Sequence, residues 1–146
     1  MKKLILITIF ACTALWGCVH ADNKNIDTSL DLMDARILDT RWKLVELWGK
    51  PVAEVERYPF IQLHAKEGRI SGFGGCNSFG GGYELKAGNR VRFTNMASTM
   101  MACPDMDSEQ ELFNVLSMTD NFACDGKTLA LYKARMAPLA RFEAVR

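Results

Sequence analysis

Residues 68 to 103 read GRISGFGGCNSFGGGYELKAGNRVRFTNMASTMMAC, a glycine-loaded stretch bracketed by Cys76 and Cys103. Gly72, Gly74, Gly75, Gly80, Gly81 and Gly82 crowd its first half. Two extended runs follow. In the second, Arg90 to Thr94, polar and apolar residues alternate, which sends Val91 and Phe93 to one face and the arginines to the other. A phosphate cradle of the Walker kind needs Lys-Ser/Thr and a helix behind its glycines, and a dinucleotide fingerprint also needs that helix. Here the chain runs on into Tyr83-Glu84-Leu85, so the glycines are expected to serve architecture. They permit positive φ angles, bulges and close strand approach at a tight sheet corner.

Cys76 and Cys103 fall on segments that such a sheet can make neighbours. A bridge there closes a loop worth about 3.5 kcal/mol of chain entropy. The alternative is a redox or metal-binding thiol, but neither residue belongs to a C-x-x-C pair. Cys124 is expected to be a buried free thiol. Met96, Met100, Met101 and Met106 surround Cys103, and thioethers beside a thiolate suit Cu(I); methionine also fills irregular gaps in cores. The two histidines, His20 and His64, stand beside no nucleophile or carboxylate at a catalytic or zinc spacing. Glu46, Glu84 and Glu143 read as solvated strand residues.

Beyond this stretch the pattern stays β-rich. Arg41 to Trp48 is aromatic and branched, with Gly49-Lys50-Pro51 as its turn. Tyr58 to Ala65 forms a second strand, and Pro59 suits only its start or an edge. Ala87-Gly88-Asn89 supplies a hairpin turn. One helix is expected: Asp107 and Ser108 offer N-caps, Ser108 with Glu111 a capping box, and Leu112, Phe113, Leu116 and Thr119 one face. It should end near Asp120-Asn121. Phe122 to Cys124, Thr128 to Ala134 and Leu139 to Ala144 complete seven or eight strands. With no alternation of strand and helix, a parallel sheet is not expected. The expectation is an α+β fold: a curled, mostly antiparallel sheet or partly open barrel with one helix packed on it.

The N-terminus reads as an export signal over residues 1–17. Lys2 and Lys3 precede an apolar run from Leu4 to Trp16, shorter than the roughly 20 residues that span a bilayer. Leu15-Trp16-Gly17-Cys18 resembles a lipobox, in which Cys18 is acylated and becomes the mature N-terminus. Trp16 is unusual there. Val19-His20-Ala21 offers an ordinary signal-peptidase site instead, giving a soluble periplasmic product. Residues 18–40, with five aspartates, read as the lipidated N-terminus and a tether. Within it Leu30, Met33 and Ile37 hold helical spacing and Ser29 can cap them. The domain is placed at 41–146. Charge is balanced, 18 Lys and Arg against 17 Asp and Glu, two of the lysines in the leader. No basic stripe suggests nucleic acid.

Several segments together resemble the META domain of HslJ-like heat-shock lipoproteins. Trp42-Lys43-Leu44 with Gly49-Lys50-Pro51 resembles its opening. Gly72 to Phe79, GFGGCNSF, resembles its central motif with Gly75, Cys76, Asn77 and Phe79 in place, and Gly82-Tyr83 follows. Ser98 to Cys103 matches its T-x-MAC motif through Thr99, Met101, Ala102 and Cys103. Glu109, Glu111, Phe113 and Leu116 lie beyond it, and Leu129-x-Leu131 and Leu139-x-x-Phe142 match its last strands. Met100 departs from the Arg common at that place. The resemblance implies a small α+β fold, a bacterial envelope location and a part in envelope stress or drug tolerance. It implies no catalytic residues and no cofactor. The expected product is a non-enzymatic lipoprotein with a palmitoylated Cys18, facing the periplasm from the outer membrane. It would be monomeric and would bind an envelope protein. A pilotin-like or chaperone module and a periplasmic Cu(I) binder are the alternatives.

Overall fold

The computed structural model describes residues 36–104 and 106–145. The expectations for the signal peptide, Cys18 and Ala21 lie outside them, as does the helix expected through Leu30, Met33 and Ile37 except for its end, where Arg36 and Ile37 are helical. Nine strands form one sheet: β1 (Arg41–Leu47), β2 (Lys50–Pro51), β3 (Phe60–His64), β4 (Arg69–Phe73), β5 (Ser78–Lys86), β6 (Arg90–Ser98), β7 (Asn121–Cys124), β8 (Thr128–Tyr132) and β9 (Ala140–Val145). The helix α1 (Asp107–Met118) joins β6 to β7. All the strand pairings are antiparallel, as the alternating pattern and the lack of crossover helices require.

From β3 to β9 each strand pairs with the next, and β1 pairs with both β3 and β9, so the sheet curls into a ring. The closing seam runs from Arg41↔Val145 to Leu47↔Ala140. The ring is not a regular barrel. Strands β6 and β7 meet only at Arg90↔Asn121, and α1 packs against β6. Leu112, Val115 and Leu116 of α1 are buried with Trp42, Leu44, Ile61, Leu63, Leu129, Leu131 and Phe142 in a single core. These are the inward positions of the strands and the apolar stripe of the helix. Removing them from water supplies the main driving force, at about 25 cal/mol per Å².

Several expectations need correction in detail. The glycine run is no corner: Gly80, Gly81 and Gly82 lie inside β5, with a register shift against β6 between Gly80 and Gly82. Close approach explains Gly81 and Gly82, since a Cβ on Gly81 would lie 2.5 Å from Met96 Sδ and 2.8 Å from Thr94 O, and one on Gly82 2.8 Å from Thr94 Oγ1. The first turn is Trp48-Gly49, both at positive φ (53° and 74°), while Lys50–Pro51 is strand. Two successive left-handed residues give the twist that a two-residue hairpin needs. No side chain caps α1; Met106 is its N-cap residue, and the capping box from Ser108 does not form. Glu111 Oε2 accepts instead from Trp48 Nε1. The helix ends at Met118, earlier than Asp120-Asn121. Cys124 is free but only half-buried.

Residues expected in the tether are packed. Ile37 is buried, and its carbonyl accepts a 2.9 Å hydrogen bond from Trp42 Nε1. Leu38 bridges to Leu63, and Asp39 N–H donates to Leu63 O at 2.7 Å.

Candidate functional site

Three segments distant in sequence converge at one end of the ring: the loop Gly74–Asn77 between β4 and β5, the segment Thr99–Cys103 after β6, and the first turn of α1. Gly75 has φ of 124°, a region closed to other residues, which turns the loop so that Gly74 N–H donates to Asn77 O at 2.9 Å. Gly74 must also lack a side chain, because a Cβ there would lie 2.6 Å from Glu109 Cγ. That close passage brings the Glu109 carboxylate under the loop.

Glu109 is buried, 5% exposed, and its oxygens are fully engaged. Oε2 accepts from the main-chain N–H of Cys76 at 3.1 Å and of Asn77 at 2.6 Å. Oε1 accepts from Asn77 Nδ2 at 2.8 Å. A carboxylate receiving three N–H groups replaces the water it gives up on burial, which makes such a buried charge tolerable.

Asn77 is 1% exposed and is the hub. Its Oδ1 accepts from Thr99 Oγ1 at 2.7 Å and from Met101 N–H at 2.8 Å. Its Nδ2 donates to Met101 O at 3.1 Å as well as to Glu109. An amide has two acceptor and two donor positions, so the group is saturated. The disulfide Cys76–Cys103 ties the same two segments covalently, and Thr99 N–H donates to Ser78 O at 3.0 Å.

This clasp fixes the main chain at Thr99 and Met101 and leaves Met100 at the apex, 99% exposed, with Met101 beside it at 53%. Met100, Met101, Met106, Gln110, Phe113 and Asn114 line a groove between the loop and α1. Among the described residues the only ionisable side chain lining that groove is Glu109, whose oxygens are turned to Cys76 and Asn77.

The residues singled out by sequence divide between two places. Gly75, Cys76, Asn77, Thr99, Met101 and Cys103 build the clasp, with Ala102 exposed within its loop. Trp42, Gly72, Phe79 and Tyr83 serve the body of the ring. Phe79 lies over Gly72 and meets Phe113 edge-on at 5.0 Å between centroids; Tyr83 Oη donates to His64 O at 3.1 Å. His64 Nε2 contacts Ser71 Oγ at 2.7 Å. Glu46 pairs with Arg141 at 3.3 Å, Glu84 lies 3.9 Å from Lys86, and Glu143 is exposed.

The Cys103 sulfur is bonded to Cys76 and offers no thiolate to copper, which leaves thioethers alone in the groove. Among the described residues no group of three or more His, Cys, Asp or Glu is placed to hold a metal. Burial pushes the Cys124 thiol up from its ordinary value. The part Glu109 plays in the clasp does not follow from the local pattern alone. The available signal was its spacing: positions 109, 112 and 116 share one helix face, so a carboxylate stands in the apolar stripe.

A curled antiparallel ring with one helix and a disulfide-clasped Gly-Cys-Asn loop defines the class. The sequence matches the META domain family over residues 35–146, and the chain belongs to that family. Its fold is similar to that of a protein from Burkholderia xenovorans solved by NMR, at 22% identity over 81% of this chain and 87% of that one, with a TM-score of 0.59. A second NMR structure is similar at 25% identity over 75% of this chain and 92% of that one, TM-score 0.59. A crystal structure of a DUF4847 family protein from Bacteroides vulgatus is similar at 14% identity over 73% and 93%, TM-score 0.56. No curated protein matches the sequence.

Proposed function

We propose that this protein is a non-enzymatic lipoprotein of the bacterial envelope, anchored by an acylated Cys18 on the periplasmic side of the outer membrane. Its META domain would act by binding, in support of the envelope under stress. The observation that carries the binding reading is the clasp. The polar groups of Asn77 and Glu109 are spent on holding the Thr99–Cys103 segment, and the product of that investment is a rigid apolar loop in solvent. Exposed methionines on a fixed loop adapt to apolar partners because the thioether is flexible and polarisable.

Complementation tests this reading. A strain lacking the protein is challenged with a membrane-perturbing drug and supplied with wild type, Cys18→Ala or Met100→Asp/Met101→Asp. The reading expects full rescue by wild type only, with Cys18→Ala found in the soluble fraction and the double variant folded and membrane-bound. Rescue by the double variant would remove the loop from the function, and retention of Cys18→Ala in membranes would remove the lipid anchor.

A pilotin-like or chaperone role has one observation in its favour. Because β6 meets β7 only at Arg90↔Asn121, the rest of its outer edge has no strand partner, and such an edge can receive an extended segment. Proline at Met96 would then abolish capture of that segment while the double loop variant would not.

A further inference from the structure

Met100, Met136 and Met101 are 99%, 58% and 53% exposed, whereas Met96, Met106 and Met118 are half-buried. Oxygen transfer to a thioether needs direct approach of the oxidant to a sulfur lone pair, so accessibility sets the order of attack. The main chain holds Met100 out at the apex, since both neighbours are pinned: Thr99 by Ser78 and Asn77, Met101 by its main-chain N–H and carbonyl on Asn77. Cys103 is fixed two residues further on by its bond to Cys76.

We propose that Met100, with Met101 beside it on the same loop, is a methionine-oxidation site for hypohalous acids. In the reaction with hypochlorous acid, the oxygen is transferred to Sδ and the sulfur is oxidised by two electrons to the sulfoxide. The chlorine is reduced and leaves as chloride, and the acid's proton goes to water. The disulfide takes no part.

The clasp makes this modification local. No clasp bond uses either thioether; Met101 contributes only main-chain atoms and Met100 none. Oxidation therefore turns the apex and rim of the groove from apolar to polar while the ring and its anchoring network persist. The same chemistry at Met118, packed on the core, would disrupt packing. This inference is independent of the binding role.

The test is a hypochlorous acid titration of the full chain with its disulfide intact. Aliquots are quenched with excess free methionine and mapped by peptide mass spectrometry. Met100 sulfoxide should lead Met96, Met106 and Met118 by about threefold or more at low oxidant, with Met136 and Met101 between them. Reduced, urea-unfolded protein should lose this order. At two equivalents the melting temperature should stay within about 2 °C of the untreated value, and peptide methionine sulfoxide reductases should return the original mass. Met100→Leu should remove the earliest methionine sulfoxide among the described residues and leave the order of the others unchanged. Attack on Met106 or Met118 in step with Met100, or a melting temperature that drops with the first sulfoxide, would overturn the proposal.

Discussion

Replacing Glu109 with Gln is the most demanding test of the clasp, because it changes charge and one donor–acceptor match while keeping shape. The amide oxygen can take the place of Oε2 and keep the Cys76 and Asn77 main-chain N–H bonds. Those bonds fall from charge-assisted to neutral, a loss of about 1 kcal/mol each. The amide nitrogen then faces Asn77 Nδ2, donor against donor, where Oε1 had accepted at 2.8 Å. A buried donor without a partner costs about 1–3 kcal/mol. Rotating the Asn77 amide does not help, since its Oδ1 would abandon Thr99 and Met101. The expected loss is about 3–5 kcal/mol, or about 12–20 °C in melting temperature. Urea unfolding followed by tryptophan fluorescence, with the disulfide intact, measures it. Glu111→Gln, which touches only the exposed Trp48 indole, should cost under about 1 kcal/mol. Asn77→Ala combined with Glu109→Gln should fall short of the sum of the two by about 1–3 kcal/mol. A Glu109→Gln loss within about 0.5 kcal/mol of zero, or strict additivity with Asn77→Ala, would refute the network as a cooperative unit.

Cys76→Ala/Cys103→Ala should lower stability by about 3 kcal/mol, read as a fall in the urea midpoint relative to the oxidised wild type. Gly81→Ala should cost about 1–3 kcal/mol in the same assay, because its Cβ would press on Met96 Sδ and Thr94 O, with backbone on one side unable to yield. Asp120 and Asp125 are both held below the usual carboxylate value of 3.8. The first is held down chiefly by the Ala134 N–H and the second by those of Thr128 and Lys127. Their support is complete above pH 3.8 and is lost as pH falls through the lowered folded values. Protection factors of the Ala134, Lys127 and Thr128 amides, taken against the intrinsic exchange rate at each pH, should therefore fall below that pH and stay flat above it, and the effect should vanish at Ala134 in Asp120→Asn.

Legibility in the sequence followed the range of the forces involved. The alternation of Val91 and Phe93 with Arg90 and Arg92 shows directly in β6, because side chains two apart share a face whatever their partners are. The strand through Gly80 to Gly82 was hidden for the converse reason. Residues without side chains carry no period, and what selects Gly81 and Gly82 is the closeness of Met96 and Thr94 on the neighbouring strand. Trp48 was read as strand because aromatic residues favour it; closure of the two-residue hairpin overrides that preference and places it at positive φ. Ser108 and Glu111 met the local rule for a capping box, yet Glu111 found a more distant partner in Trp48. The bonds from Glu109 to Cys76 and Asn77 join residues 33 and 32 positions apart, and no spacing rule reaches that far. The clasp residues stood out only as a pattern of types, and their arrangement is a tertiary fact.

The seam between β1 and β9 has a kinetic consequence. The first strand bonds along its length to the last, Arg41–Leu47 against Ala140–Val145. A chain still being synthesised or threaded through a pore has only one of these partners on the same side, so its curl stays open. Loop closure over nearly the whole chain is among the slow steps of folding, and it cannot begin early here. The molecule is thus obliged to remain loose until its C-terminus is free, and removal of β9 alone should leave β1 with a bare edge and the ring without its final lock.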